Sequence, residues 1–273
     1  MTLALTTATA AEMRAALDGL ATVPTVPEGE DGPNGATFPE GAIRGELACA
    51  AVCDQALKVP ERGAVRACLA GREAILVVTG VGPLNASLEM GAALGRYEIS
   101  GVINLGLAGS FDLERAPLGS AVAASAEVYP EYGVAGLDGM GGLVDDTEFP
   151  FPQWEDGGQR VMRRIELGPA AEAWRLGLSL PAGQLLGTAL TVAGITGCRD
   201  RALVLAEHFG ALTENMEGFA LALACATRGL PFLEVRTISN RVGERDRAKW
   251  KLKQAFRGLG TVLARLFSSP GPL

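Results

Sequence analysis

The sequence predicts an α/β fold: one domain over residues 1–273, built on a central mixed, twisted sheet flanked by helices. Three observations carry that expectation. Short apolar runs alternate with stretches of helical periodicity, the pattern of strands interleaved with helices. Two of these runs, residues 74–79 and 101–105, are apolar at almost every position, as in strands covered on both faces. Hydrophobic residues make up 48% of the 273 against 20% charged, with a mean hydropathy of +0.22, which suits one large core.

Taken in order, residues 3–8 read as a strand and 11–17 as a helix. Residues 24–48 hold four prolines and several glycines and read as an irregular loop. Residues 48–57 and 64–69 are ambiguous short elements. Residues 74–79 form a buried strand, 85–94 a helix with small residues on one face, 101–105 a second buried strand and 120–128 a third. Residues 130–160, rich in Gly, Pro and acidic side chains, read as a long surface excursion. A strand is expected over 189–195, a helix over 199–208, and an Ala- and Leu-rich helix over 217–228 that Gly229 and Pro231 stop. A strand over 232–238 follows. The spacing of Trp250, Leu252, Ala255, Phe256, Leu259, Val262, Leu263 and Leu266 predicts a closing helix over 247–267.

Composition excludes several functions. Lys and Arg number 24 against 31 Asp and Glu, a net charge of −7, the wrong sign for a nucleic-acid partner. Aromatics are only 5%, too few for base-stacking platforms. No apolar run reaches membrane-span length and the N-terminus lacks a basic leader, so a cytoplasmic protein without membrane contact is expected. Five cysteines without a CxxC pair, and the single histidine His208, argue against a metal centre or a His-based triad. No cofactor is expected, and the thiols are read as reduced.

In open α/β sheets ligands bind beyond the carboxyl ends of the strands. Glu12 follows the first strand. Gly80-Val81-Gly82-Pro83 follows the strand over 74–79. Leu107, Ala108 and Gly109 follow the strand over 101–105, and Ser239 and Asn240 follow the strand over 232–238. Met216 and Glu217 precede the Ala- and Leu-rich helix. Singly, each has a plain reading: a tight glycine turn, a carboxylate favoured by a helix N-terminus, a turn-forming carboxamide. Glu217 is the exception, because it opens a helix that is otherwise small or apolar, and a lone buried carboxylate is costly. Together the residues point to one site.

The order GVGP, NLGLAGSF, NMEGFALA and EVRTISNRVGERDR-x-x-W resembles the nucleoside phosphorylase/nucleosidase superfamily, and within it the futalosine hydrolases of menaquinone biosynthesis. The resemblance runs from Leu3 to about Leu266, weakly over residues 24–70 and 130–185. It implies a nucleoside phosphorylase-like sheet and a homo-oligomer. It also implies hydrolysis of the N-glycosidic bond of a small purine nucleoside. By this resemblance Glu12 falls where the family keeps its water-activating glutamate. Met216 and Glu217 match the pair that packs under the ribose and binds its hydroxyls. Gly82, Leu107, Ala108 and Gly109 line sugar and base, Ser239 lies beside them, and Asn240 takes the general-acid position.

Two departures from the family pattern are informative. Methylthioadenosine nucleosidases carry Asp where this chain has Asn240. A carboxamide is no acid at neutral pH, but it can donate to a 6-oxo group and accept from an N7–H. It therefore favours a 6-oxopurine such as hypoxanthine, with the source of the proton on the leaving base left open. Superfamily phosphorylases hold phosphate at positions occupied here by Asn104 and Leu107, which carry no charge, so water is the expected nucleophile. The alternatives are a methylthioadenosine/S-adenosylhomocysteine nucleosidase, a purine nucleoside phosphorylase, or an inactive nucleoside-binding protein. Arg245 and Arg247 are weaker candidates for a substrate carboxylate.

Overall fold

The structure, a computed structural model, describes residues 2–20, 59–135 and 143–268. The loop expected over 24–48 and the ambiguous element over 48–57 lie outside them. Among the described residues nine strands form one mixed sheet. Four strands run parallel at its centre: β1 (Leu3–Thr7) lies between β3 (Arg72–Val78) and β4 (Gly101–Ser110), and β13 (Phe232–Arg241) follows β4. β2 (Gly63–Leu69) pairs antiparallel with β3 at one edge.

On the other side β4 meets the end of β12 (Ala211–Asn215), which pairs with β11 (Leu185–Thr191), and β11 pairs with β5 (Ala121–Val128). β13 also pairs with β5, so β4, β12, β11, β5 and β13 close into a ring. Inside the expected excursion over 130–160 are the short strands β6 (Val134–Ala135), β7 (Val144–Asp145) and β8 (Trp154–Asp156); β9 (Gln159–Val161) and the edge strand β10 (Arg164–Glu166) follow.

Period-two alternation explains why the central strands are apolar throughout. Leu3, Leu5, Leu76, Val78, Ile103, Leu105, Leu233 and Val235 face α1 (Ala10–Leu20) and the C-terminal helix, where they meet Met13, Ala16, Leu259 and Leu263. Ala4, Ile75, Val77, Val102 and Phe232 face the opposite side. There they meet Ala86 and Met90 of α2 (Pro83–Arg96) and Leu221 of the Ala- and Leu-rich helix. With both faces covered, no strand position is left for a polar residue unless it has a partner. The two helices on the first side touch backbone to backbone: a Cβ on Gly19 would lie 1.9 Å from the Gly260 carbonyl oxygen.

α3 (Pro169–Arg175) and α4 (Arg199–Phe209) lie between strands, and α5 (Gly218–Ala226) and α6 (Leu252–Ser268) complete the helices. Four expectations need correction. The strand expected over 189–195 is β11, which begins and ends four residues earlier; the Val-Ala-Gly-Ile run after it leaves the sheet. β12 was masked in the sequence by Thr213, Glu214 and Asn215, three buried polar residues in five. The closing helix is split: Arg247–Lys249 is a short 3-10 turn capped by the Asp246 side chain, and α6 starts only at Leu252. Cys68 is disulfide-bonded, against the expectation of reduced thiols, whereas Cys198 and Cys225 are free.

Candidate active site

The carboxyl ends of β1, β3, β4 and β13 lie at one end of the sheet; Glu12, Ser239 and Asn240 reach residues 106–109 of β4 there, and Glu217 and Gly82 connect to them through Arg236. Glu12 arrives first. Thr9 and Glu12 form a capping box at the start of α1: the Glu12 N–H donates to Thr9 Oγ1 (3.2 Å), and Glu12 Oε2 accepts from the Thr9 N–H (2.9 Å) and hydroxyl (2.8 Å). Its other oxygen, Oε1, accepts the Leu107 N–H (2.9 Å). A carboxylate oxygen has two lone pairs, so Oε1 keeps one for a further donor. The side chain is buried, at 6% exposure.

Glu217 stands at the N-terminus of α5. Asn215, two residues earlier, accepts the N–H groups of Glu217 (2.9 Å) and Gly218 (2.8 Å) through Oδ1 and so caps the helix. The Gly82 N–H donates to Glu217 Oε1 (3.1 Å), and Arg236 Nη1 donates to Oε2 (3.2 Å). Gly82 has φ +98°, in the region glycine favours, and Pro83 after it starts α2; this turn is what aims the N–H. Burial pushes the Glu217 carboxyl above its ordinary pKa, Arg236 and the Gly82 N–H pull it back, and nearby Glu12 pushes it up again.

Arg236 joins the two glutamates. A Cβ on Gly106 would sit 2.4 Å from Arg236 Nη1 and 3.3 Å from Glu12 Oε1, so both groups lie over this one glycine. The base end is next along β4. Ser239 Oγ lies 3.2 Å from the Ala108 carbonyl oxygen and donates to Asn240 Oδ1 (2.8 Å). Asn240 Nδ2 donates to the Arg241 carbonyl oxygen (2.9 Å) and would lie 3.3 Å from a Cβ on Gly109. Since a carbonyl only accepts, these contacts fix which end of the carboxamide is nitrogen. One N–H and one lone pair of Asn240 stay available. Met216 packs beside the cluster of Val128, Leu190, Val192 and Leu205.

Asn104 is not at the open end. It lies in the sheet interior, donating to Glu234 (3.1 Å) and accepting from Thr6 (3.1 Å). Arg245 and Arg247 lie over the Trp250 ring at 5.6 and 5.8 Å, in an exposed charged turn.

Sequence reasoning missed Arg236, Glu234, Glu127 and Asn215. Arg236 is fully buried, and burial alone works against its charge, but Glu234 and Glu217 more than offset that and hold it protonated. The signal was present: Glu234 and Arg236 sit two apart among Phe232, Leu233 and Val235 in the buried half of the strand, hence on the same face, where mutual pairing makes them tolerable.

Residues 49–268 match the phosphorylase superfamily. The futalosine hydrolase of Thermus thermophilus is 33% identical over 207 residues, covering 74% of this chain and 85% of that protein. That of Streptomyces coelicolor is 36% identical over 197 residues, 70% of this chain and 77% of its own. The fold is also that of the 5′-methylthioadenosine/S-adenosylhomocysteine nucleosidase of Helicobacter pylori, with a TM-score of 0.67 and 15% identity over 98% of this chain and 97% of that one. The chain belongs to the phosphorylase superfamily, and within it to the futalosine hydrolases.

Proposed function

We propose that this enzyme hydrolyses the N-glycosidic bond of futalosine, releasing hypoxanthine and dehypoxanthine futalosine, a step of menaquinone biosynthesis. The observation that carries the reading of the base is Asn240. Its neighbours leave one N–H and one lone pair, which match O6 and N7–H of a 6-oxopurine. Glu12 activates water through the unused lone pair of Oε1 and delivers it to the anomeric carbon. Glu217 accepts the ribose hydroxyls and faces the positive charge that grows on the sugar ring. Gly82, Leu107, Ala108, Gly109 and Met216 bound the sugar, Ser239 orients Asn240, and Asn240 stabilises the departing base.

The donors around the sugar favour water over phosphate. The Leu107 N–H is already bonded to Glu12, and Arg236 spends Nε and Nη1 on Glu234 and Glu217. An incoming phosphate would meet carboxylates rather than free donors. The experiment is incubation with futalosine, inosine and methylthioadenosine, each with and without phosphate. Hypoxanthine released from futalosine at a phosphate-independent rate is the expected result. A sugar phosphate product would make the protein a phosphorylase, adenine release from methylthioadenosine alone a methylthioadenosine nucleosidase, and binding without release an inactive nucleoside binder.

Asn240→Asp supplies a charged acceptor that repels O6, and shifts preference towards 6-aminopurines. The ratio of kcat/KM for inosine-type and adenosine-type nucleosides measures this, and an unchanged ratio refutes the reading of Asn240. We carry two further expectations in the same spirit. Exposed Val81, Leu84 and Leu88 beside the site fit a homo-oligomer, which light scattering tests. Cytoplasmic residence fits a chain in which no helix among the described residues is long and apolar enough to cross a membrane.

A further inference from the structure

Behind Glu217 lies a cluster that the reaction scheme does not use. Glu127 on β5 and Glu234 on β13 are both buried, at 0% and 1% exposure. They converge beneath the start of α5: a Cβ on Gly218 would lie 2.1 Å from Glu127 Oε1 and 2.4 Å from Glu234 Oε2. Their carboxyl groups face each other across that point, and Asn215 Nδ2 donates to both, to Glu127 Oε1 (2.7 Å) and Glu234 Oε1 (3.3 Å). Two buried carboxyl groups this close repel each other when both are ionised, and the repulsion is relieved when one of them carries a proton.

The remaining contacts say which one does. Glu234 Oε1 accepts Arg236 Nε (2.8 Å), and Oε2 accepts Asn104 Nδ2 (3.1 Å). Among the described residues Glu127 has no direct bond to a cation. Its oxygens take Thr191 Oγ1 (2.7 Å) and Asn215 Nδ2 (2.7 Å). The charge therefore sits on Glu234 and the proton on Glu127. Burial and the neighbouring Glu234 both push the Glu127 carboxyl well above the usual carboxylate range, which agrees with that placement.

Each member of the pair leads to Glu217. Arg236, held at Nε by Glu234, turns Nη1 to Glu217 Oε2. Asn215 donates Nδ2 to Glu127 and also to Glu234 (3.3 Å), which leaves its Oδ1 facing the Glu217 and Gly218 N–H groups. We propose that Glu127 and Glu234 share one proton and act as a positioning pair that aims Arg236 and the Asn215 amide at Glu217. Neither touches substrate. Gly218 is required because any side chain there would occupy the space in which the two carboxyls meet. The inference rests on the reading of Glu217 as the sugar-binding carboxylate.

The charged groups around Glu217 are Arg236 and Glu234 on β13, Glu127 on β5 and Glu12 on α1. Glu127→Gln copies the protonated state, so it removes no charge, and the acid limb of the kcat/KM profile on futalosine stays in place. Glu234→Gln removes one negative charge from beside Arg236. Arg236 then acts more strongly on Glu217, whose proton leaves at lower pH, and the acid limb moves down. The loosened guanidinium also misplaces Glu217, and kcat/KM at neutral pH falls about tenfold to a hundredfold. A purely structural pair would lower stability in both variants and leave the limb of each unmoved.

Infrared spectroscopy of the free enzyme at neutral pH reads the proton directly. The wild-type spectrum minus that of Glu127→Gln contains a protonated-carboxyl carbonyl band. Absence of that band, or an acid limb that stays put in Glu234→Gln, overturns the proposal. The infrared arm needs no substrate, so its failure is separable from failure of the futalosine reading.

Discussion

Glu12→Gln lowers kcat on futalosine by about 10²–10⁴-fold, the usual contribution of a general base, and leaves substrate binding close to wild type. The reason lies in what the two side chains share. Glutamine is accepted at the third position of a capping box as readily as glutamate, so the start of α1 survives. Its single carbonyl oxygen serves either the Thr9 or the Leu107 N–H, which Glu12 serves together. Leaving one of these N–H groups without an acceptor costs about 1–3 kcal/mol, a fraction of the stability of a domain this size. What glutamine cannot do is take a proton from water. The variant thus separates the two roles that this residue carries at once. Single-turnover rates and calorimetric affinity for dehypoxanthine futalosine measure the chemical loss, and thermal melting measures the structural one. A kcat within tenfold of wild type would remove Glu12 as base, and a collapse in melting temperature would show that the cap was its main task.

That double role explains how far the site was legible in the sequence. Glu12, Gly82, Glu217 and Asn240 stood out because each breaks a local pattern: a carboxylate at a helix that is otherwise apolar, glycines at a strand end, a carboxamide after a buried strand. The structure brings Glu12 and Asn240 to one stretch of β4 and links Glu217 and Gly82 to it through Arg236. The layer that supports them was harder to see. Glu127 and Asn215 lie 88 residues apart in sequence, on different strands, and nothing local marks them as partners. β12 was overlooked for the same reason. Its polar residues look wrong for a buried strand until Thr196, Thr191 and Glu127 are placed opposite them. The central strands were legible because burial on both faces writes itself as a continuous apolar run. The ring closed by β13 was not, because a third pairing partner for β4 and β5 leaves no periodic trace. Asn104, which by resemblance matches a phosphate position of the phosphorylases, answers instead to Glu234 inside the sheet.

Arg236→Met tests the ion cluster by removing its only cation among the described residues. Methionine fills much of the volume, so the loss is one of charge and not of packing. The variant leaves Glu217 and Glu234 without their counter-charge in a region that is 5% exposed or less. Breaking one partner out of a buried ion pair costs about 3–5 kcal/mol. The sign of its pH dependence distinguishes this cause from a cavity. Burial already holds Glu217 and Glu127 above the ordinary carboxylate range, and Arg236 is what pulls both back. Without it they move further up. Between the unfolded carboxylate pKa and these raised native values, the folded state binds more protons than the unfolded one, so stability falls as pH rises. The variant is therefore weakest under mildly alkaline conditions and regains stability as the pH drops through the raised values, where the stranded carboxyls become neutral. Urea unfolding of wild type and variant at several pH values measures the difference. A cavity would weaken the variant equally at every pH, and that flat result would mean that Arg236 fills space rather than balancing charge. If the sloped result holds, activity should follow a different course from stability, because the acid that restores the fold also protonates Glu217 and removes the acceptor for the ribose hydroxyls. A variant that is refolded by acid and still inactive there is what the ion cluster requires.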